Sequence, residues 1–301
     1  MKDRDFAIAL LTITLAACQN PPRGPVARAG LAFNNLNRNA LLVPPPTVTP
    51  TQEFNAKTFL ERISASQLRL KATHKYETPS GAHLSKDIYL GSTLIDMAGT
   101  MYEGYFLSIS AAHGFSWQGV GNLIEGIIKG QPELNSITLD DTITLERNNF
   151  GLSFEDQQKG GDKADWAFLL IDKNDLKEDE LSKLTNASLP FSSILFDSLT
   201  STQGFYGICT PESENPYPII ANNAKYVDNF NQNYIEINPW PVVKSCSGTG
   251  AFTPDESNNP KDIGIVVRGD QDTAVVYPFS EMGRSKLFEN IGKAYADLNS
   301  H

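Results

Sequence analysis

From Leu68 to Tyr277 the chain is a succession of short apolar runs with almost nothing helical between them. Leu68, Leu70 and Ala72 alternate with polar residues. Comparable runs follow at Ile88–Ile95, Tyr105–Ser110, Ser136–Leu139, Thr142–Arg147 and Trp166–Ile171, then at Ser193–Phe196, Phe205–Cys209, Ile219–Ala221, Tyr234–Ile237, Ile263–Val267 and Ala274–Tyr277. Each is strand-length, rich in Ile, Val, Phe and Tyr, and bounded by Gly, Asn or Pro. A parallel sheet needs a helix-length crossover between successive strands, and such alternation is missing. The expected fold is therefore all-β, a sandwich or barrel.

Three segments depart from that pattern. Ala56–Ser66 sets Phe59, Leu60 and Ile63 on one side of a short helix, and the acidic Asp175–Leu184 suits a second. In Glu281–Leu298, the residues Leu287, Ile291, Ala294 and Leu298 fall at helical spacing. They form one apolar stripe that predicts a helix packed on the β core.

The 301 residues are 40% hydrophobic and 20% charged, which suits a globular protein. A net charge of −10 without any basic run argues against nucleic-acid binding, which needs a basic face. No His/Cys/Asp/Glu cluster has metal-ligand spacing, so neither a metal nor another cofactor is expected. His74 and His83 stand in polar surroundings and read as surface residues.

The longest apolar segment is Phe6–Ala17. At ~12 residues it is too short to span a bilayer, which takes ~20. It ends in Leu15-Ala16-Ala17-Cys18, which resembles the lipobox of bacterial lipoprotein signal peptides. The resemblance implies cleavage after residue 17 and a lipid on Cys18, hence an exported protein anchored at the periplasmic face or cell surface. The head Lys2-Asp3-Arg4-Asp5 departs from the usual positive charge. Residues 18–55 are rich in Pro, Asn and Thr and read as a tether with a reach of roughly 35 Å. The folded part is expected over 56–301.

Three short stations carry the chemistry: Ser110-Ala111-Ala112-His113, then Asp165-Trp166-Ala167-Phe168-Leu169, then Ser245-Cys246-Ser247-Gly248-Thr249-Gly250. Each alone is weak, because a turn serine, a structural histidine and a strand-capping aspartate are common. Together they run His…Asp…Ser, separated by about 50 and about 80 residues. An apolar strand ending in Ala-Ala-His, and Asp before a second apolar strand, resemble the trypsin/chymotrypsin-like serine peptidases over about Ile88–Leu298.

The resemblance implies two β-barrels of the chymotrypsin type, a C-terminal α-helix, and an active site in the crevice between the barrels. The implied triad is His113 as general base, Asp165 as its orienting carboxylate and Ser247 as nucleophile. Backbone amides of Ser245 and Ser247 would form the oxyanion hole, each worth about 3–4 kcal/mol of barrier. The primary pocket would have Pro241 at its floor and Val267, Arg268 and Gly269 as its wall. Without an acidic floor, a preference for Lys or Arg is not supported. Arg268 could favour an acidic substrate side chain, but an outward-pointing arginine is the preferred expectation.

The family's Gly-Asp-Ser-Gly-Gly matches this chain only at Ser247 and Gly248. Ser245 replaces a glycine whose freedom lets the amide face the oxyanion. Cys246 replaces the aspartate that pairs with a freshly cut N-terminus, so that activation switch is absent. By the resemblance, the strand ending at Cys209 lies beside the serine loop, which implies a Cys209–Cys246 disulfide worth about 3–4 kcal/mol. The expected partners are a peptide or protein substrate and, through the lipid, a membrane. Two other readings stay open: a pseudopeptidase that binds without cutting, and a β-rich structural or adhesive lipoprotein in which the three stations do not converge.

Overall fold

The structure is a computed structural model. It describes residues 54–116, 129–156, 165–197, 204–212, 215–221, 223–229, 232–240, 246–269 and 272–301, all within one compact unit, Pro50–His301. The expected signal segment and nearly all of the tether lie outside them.

The first sheet is built from β1 (Gln67–Glu77), β2 (His83–Asp96), β3 (Tyr105–Ser110), β4 (Lys129–Leu139), β5 (Ile143–Glu146), β6 (Phe150–Asp156) and β7 (Asp165–Asp172), in the spatial order β5-β4-β1-β2-β3-β7-β6. The short β8 (Leu189–Pro190) adds a parallel pairing to β2. Flat, the end strands of that path would lie about 29 Å apart, six gaps of ~4.8 Å. Yet β5 and β6 are joined only by Arg147–Asn149, a linker that cannot exceed about 14 Å. The sheet must therefore curl until its ends approach.

The second sheet contains β9 (Phe205–Cys209), β10 (Tyr217–Ala221), β11 (Asn223–Asn229), β12 (Gln232–Asn238), β13 (Gly250–Pro254), β14 (Pro260–Gly269) and β15 (Ala274–Pro278), in the order β10-β9-β13-β14-β15-β12-β11. Its end strands, β10 and β11, are a single residue apart in the chain. The same argument applies with a tether of only about 7 Å. Two curled antiparallel sheets followed by a helix match the expected chymotrypsin-type architecture.

Alternation explains the cores. Leu70, Ala72, Ile137, Leu139 and Leu169 fill the first barrel. Ile235, Ile237, Val266 and Val276 fill the second, with Trp240 and Cys246. A third cluster lies between the sheets and under the helices: Leu107, Ile109, Phe168, Ile265, Val267 and Tyr277 meet Leu287, Ile291 and Ala294. Helix α1 (Ala56–Ser66) adds Phe59 and Ile63, and Phe59 packs 4.9 Å from the Tyr206 ring.

Helix α2 (Glu178–Ala187) starts a few residues later than expected, because a 3₁₀ turn occupies Lys173–Asp175. Helix α3 (Phe279–Leu298) buries the expected stripe at Leu287, Ile291 and Ala294, and it is kinked at Gly283. Asp297 pins its end: both carboxylate oxygens accept from Arg147 Nη2 (2.8 and 2.7 Å), and one also accepts from Leu152 N–H at 2.8 Å.

Ser193–Phe196 is not a strand. A 3₁₀ turn covers Phe191–Ser193, and Ile194 makes an isolated bridge to Asp262. Ile194 and Phe196 instead cover the cluster between the sheets, and Leu195 packs against the core of the second barrel. Strands β6, β11 and β13 had no sequence counterpart.

Candidate active site

The β3–β7 register brings the first two stations together. Ser110 lies opposite Ala167, so the chain leaving β3 toward His113 passes the residue that opens β7, Asp165. The turn Ala112–Gly114 holds His113 in place. Asp165 grips that histidine twice: Oδ1 accepts the His113 backbone N–H and Oδ2 meets Nδ1, both at 2.8 Å. A carboxylate only accepts, so this contact places a proton on Nδ1. The side chains are 37% and 22% exposed, so the pair lies at the surface of the barrel and not within its core.

A buried histidine braces the same turn. His74, on β1, is 2% exposed and donates from Nε2 to the Gly114 carbonyl at 2.9 Å. Burial lowers its pKa from the ordinary value, and the carbonyl bond partly opposes that. The expectation of a surface His74 is therefore corrected. His74 continues the inward row of Leu68, Leu70 and Ala72, while its polar neighbours Thr73 and Lys75 belong to the outer face.

The third station is a turn docked onto the first barrel. Thr249 N–H closes it on the Cys246 carbonyl at 3.2 Å, with Gly248 at φ +91, as a type II turn requires. The turn lies along β14: Gly248 N–H donates to Val266 O (2.6 Å), and Val266 N–H to Thr249 O (2.8 Å). Across the barrels, Gly91 N–H of β2 donates to the Ser247 carbonyl at 2.8 Å. A side chain on Gly248 would overlap the Gly91 carbonyl and the Ser110 hydroxyl, and would sit 3.0 Å from the Ala111 nitrogen. The serine turn thus rests on the strand end that leads into His113.

The Ser247 hydroxyl donates to the Val267 carbonyl at 3.4 Å, a long bond that a rotation would break. Cys246 and Cys209 are joined in a disulfide with Cα atoms 5.0 Å apart, tying the turn to the end of β9. Below it, Gln67 bridges the barrels, accepting from Gly250 N–H at 2.7 Å and donating to Thr93 Oγ1 at 2.8 Å. Asp262 is fully buried nearby, accepting from Gly264 N–H at 3.1 Å. Burial drives its pKa well above the carboxylate range, against hydrogen bonds from Gly264 and Thr93.

Of the expected pocket wall, Val267 is buried, while Arg268 and Gly269 are exposed at the end of β14. Ser245, Pro241 and Cys18 lie outside the described residues. Among those described, no group of three or more His, Cys, Asp or Glu residues could hold a metal ion. Sequence reasoning missed His74, Gln67, Gly91 and Asp262. Gln67 and Gly91 act on partners distant in the chain, so no local spacing marks them, whereas His74 continues the alternating row Leu68, Leu70 and Ala72, a signal that was there to be read.

No protein-family model matches the chain, and no curated protein sequence matches it significantly. Solved structures similar to it include Deg5, at 12% identity over 77% of this chain and 94% of that one, with a TM-score of 0.43. Another is the catalytically active tobacco etch virus protease complexed with product, at 8% identity, with coverage of 78% and 81% and a TM-score of 0.43. The tobacco vein mottling virus protease is similar at 11% identity, with coverage of 79% and 88% and a TM-score of 0.40.

Proposed function

We propose that this chain is an exported serine endopeptidase, lipid-anchored at Cys18, that cleaves peptide bonds through an acyl-enzyme on Ser247. The observation that carries the reading is the double hold of Asp165 on His113 beside the docked serine turn. Such a hold sets the base that a serine nucleophile needs, because a free hydroxyl is a poor nucleophile at neutral pH.

In the proposed reaction, Ser247 Oγ bonds to the scissile carbonyl carbon as its proton passes to His113 Nε2. Asp165 stabilises the imidazolium, and the amides of Ser245 and Ser247 receive the oxyanion. Collapse breaks the C–N bond, and the leaving amine takes the proton from Nε2. Water then repeats the sequence on the ester, restoring Ser247. An extended peptide would lie against the pocket wall formed by Val267, Arg268 and Gly269 with Pro241, pairing its backbone with the end of β14. The buried Cys209–Cys246 bridge suits an oxidising compartment.

A pseudopeptidase is the second reading, favoured by the Ser247 hydroxyl facing the Val267 carbonyl and by Ser245 in a glycine's place. Labelling with a fluorophosphonate separates the two. Wild type should label and cleave members of a broad peptide library, whereas Ser247→Ala and His113→Ala should lose nearly all turnover. Absence of both labelling and cleavage in folded wild type would hand the case to the pseudopeptidase. For the anchor, wild type should partition with bacterial membranes and incorporate lipid, and Cys18→Ala should do neither. Equal lipid incorporation in the variant would refute it.

A further inference from the structure

We infer that Arg268 selects substrates carrying an acidic side chain close to the bond cleaved, an inference that rests on the peptidase reading above. The argument begins with a bulge. Along β14 the pairing with β15 runs Ile265↔Tyr277 and Val266↔Val276, then skips a residue to Arg268↔Val275. Opposed residues in an antiparallel pair project to the same face. Val266 and Val276 belong to the interior of the second barrel, whereas Ile265, Val267 and Tyr277 belong to the cluster facing the first, against which Val275 also packs.

Simple alternation would send Arg268 to the interior side, after Val267. The extra residue puts Val267 and Arg268 on one face, the face turned toward the first barrel. An independent observation agrees. The Tyr277 phenol is raised by burial, lowered by the charge of Arg268 and raised by those of Asp165 and Tyr234. The guanidinium and the triad carboxylate therefore act on the same hydroxyl. The Val267 carbonyl, which meets Ser247 Oγ, is one residue away.

Arg268 is exposed and forms no ion pair with any described residue. The acidic residue on its own row is Glu236, reached across Val275 at two strand spacings, roughly 10 Å. Glu236 has Lys225 directly opposite it on the other side. Asp165 is already engaged by His113. A substrate carboxylate would thus meet an unspent, permanently charged fork with five donors. The chain's overall −10 opposes acidic substrates at long range, but over the last few ångströms one local cation outweighs charges beyond a Debye length of ~8–10 Å.

The test compares peptides that differ only by Asp or Glu against Asn or Gln, scanned through every position flanking the cleaved bond. At one position kcat/KM should favour the acid by about 3–10-fold. That ratio should fall to about one in Arg268→Gln, persist in Arg268→Lys, and favour a Lys-bearing peptide in Arg268→Glu. In wild type it should shrink near 1 M salt, where the Debye length is ~3 Å. Binding of the same peptides to a Ser247→Ala chain, by fluorescence anisotropy, gives a readout independent of turnover.

Ser247-dependent cleavage with no acidic preference, or with a preference that Arg268→Gln leaves intact, overturns the inference and leaves the peptidase standing. Acid-selective binding that Arg268→Gln abolishes, without any turnover in wild type, supports Arg268 and removes the peptidase. Neither binding nor turnover overturns both.

Discussion

Gly248→Ala tests whether docking of the serine turn on the first barrel is what assembles the site. Two costs arise at that position. The backbone sits at φ +91, where a non-glycine residue costs about 1–3 kcal/mol. The added methyl would also overlap the Gly91 carbonyl and the Ser110 hydroxyl and lie 3.0 Å from the Ala111 nitrogen. Two of those three atoms are backbone and cannot rotate away, so overpacking adds about 1–3 kcal/mol if the turn stays docked.

If the turn instead lifts, by about 1 Å, the Gly91–Ser247 hydrogen bond weakens and turnover falls about 100-fold. Gly81→Ala separates strain from contact, because Gly81 has φ +85 but nothing within 4 Å of its would-be Cβ. Urea unfolding and kcat/KM measured on both variants decide the matter. Gly81→Ala should lose about 1–2 kcal/mol and keep its activity, while Gly248→Ala should lose more stability and most activity. Equal stability losses with full activity in both would refute the docking argument.

Three further outcomes follow from the buried groups. His74 has a lowered pKa when folded, so the unfolded chain binds the extra proton; stability from this group is complete above pH ~6.5 and declines below it, by at most about 1.4 kcal/mol per pH unit. His74→Gln, which keeps a donor for the Gly114 carbonyl, should flatten that decline in urea midpoints taken from pH 7.5 to 5; an unchanged slope would assign it elsewhere. Asp262 has the opposite sign, its raised folded pKa costing stability as pH rises above about 4, so Asp262→Asn should raise Tm relative to wild type more at pH 8 than at pH 4. A gain independent of pH would contradict the burial argument. Replacing Cys209 and Cys246 together by Ala should cost about 3–4 kcal/mol in denaturant unfolding and lower turnover as well; an unaffected rate would show that the bridge does not brace the Ser247 turn.

Local patterns were sufficient for much of this molecule. Tyr105–Ser110 and Phe205–Cys209 coincide with β3 and β9, because compact apolar, β-prone runs report their own conformation. The stripe from Leu287 to Ala294 reported both a helix and the face it buries. The pairing of His113 with Asp165 and the Cys209–Cys246 bridge agree with what the resemblance implied, Asp165 opening β7 and Cys209 closing β9.

What the chain left unwritten depends on partners far along it. Gly250–Pro254 has too few apolar residues to announce a strand, yet it becomes β13 because Tyr206 and β14 flank it. His74 lies on the inward row of β1, but the carbonyl it meets is 40 positions away and only the tertiary structure supplies it. Arg268 is turned toward the first barrel by a register slip between β14 and β15, a relation between two strands that neither one encodes alone. A period in the sequence dictates which residues share a face, while long-range pairing decides what that face meets.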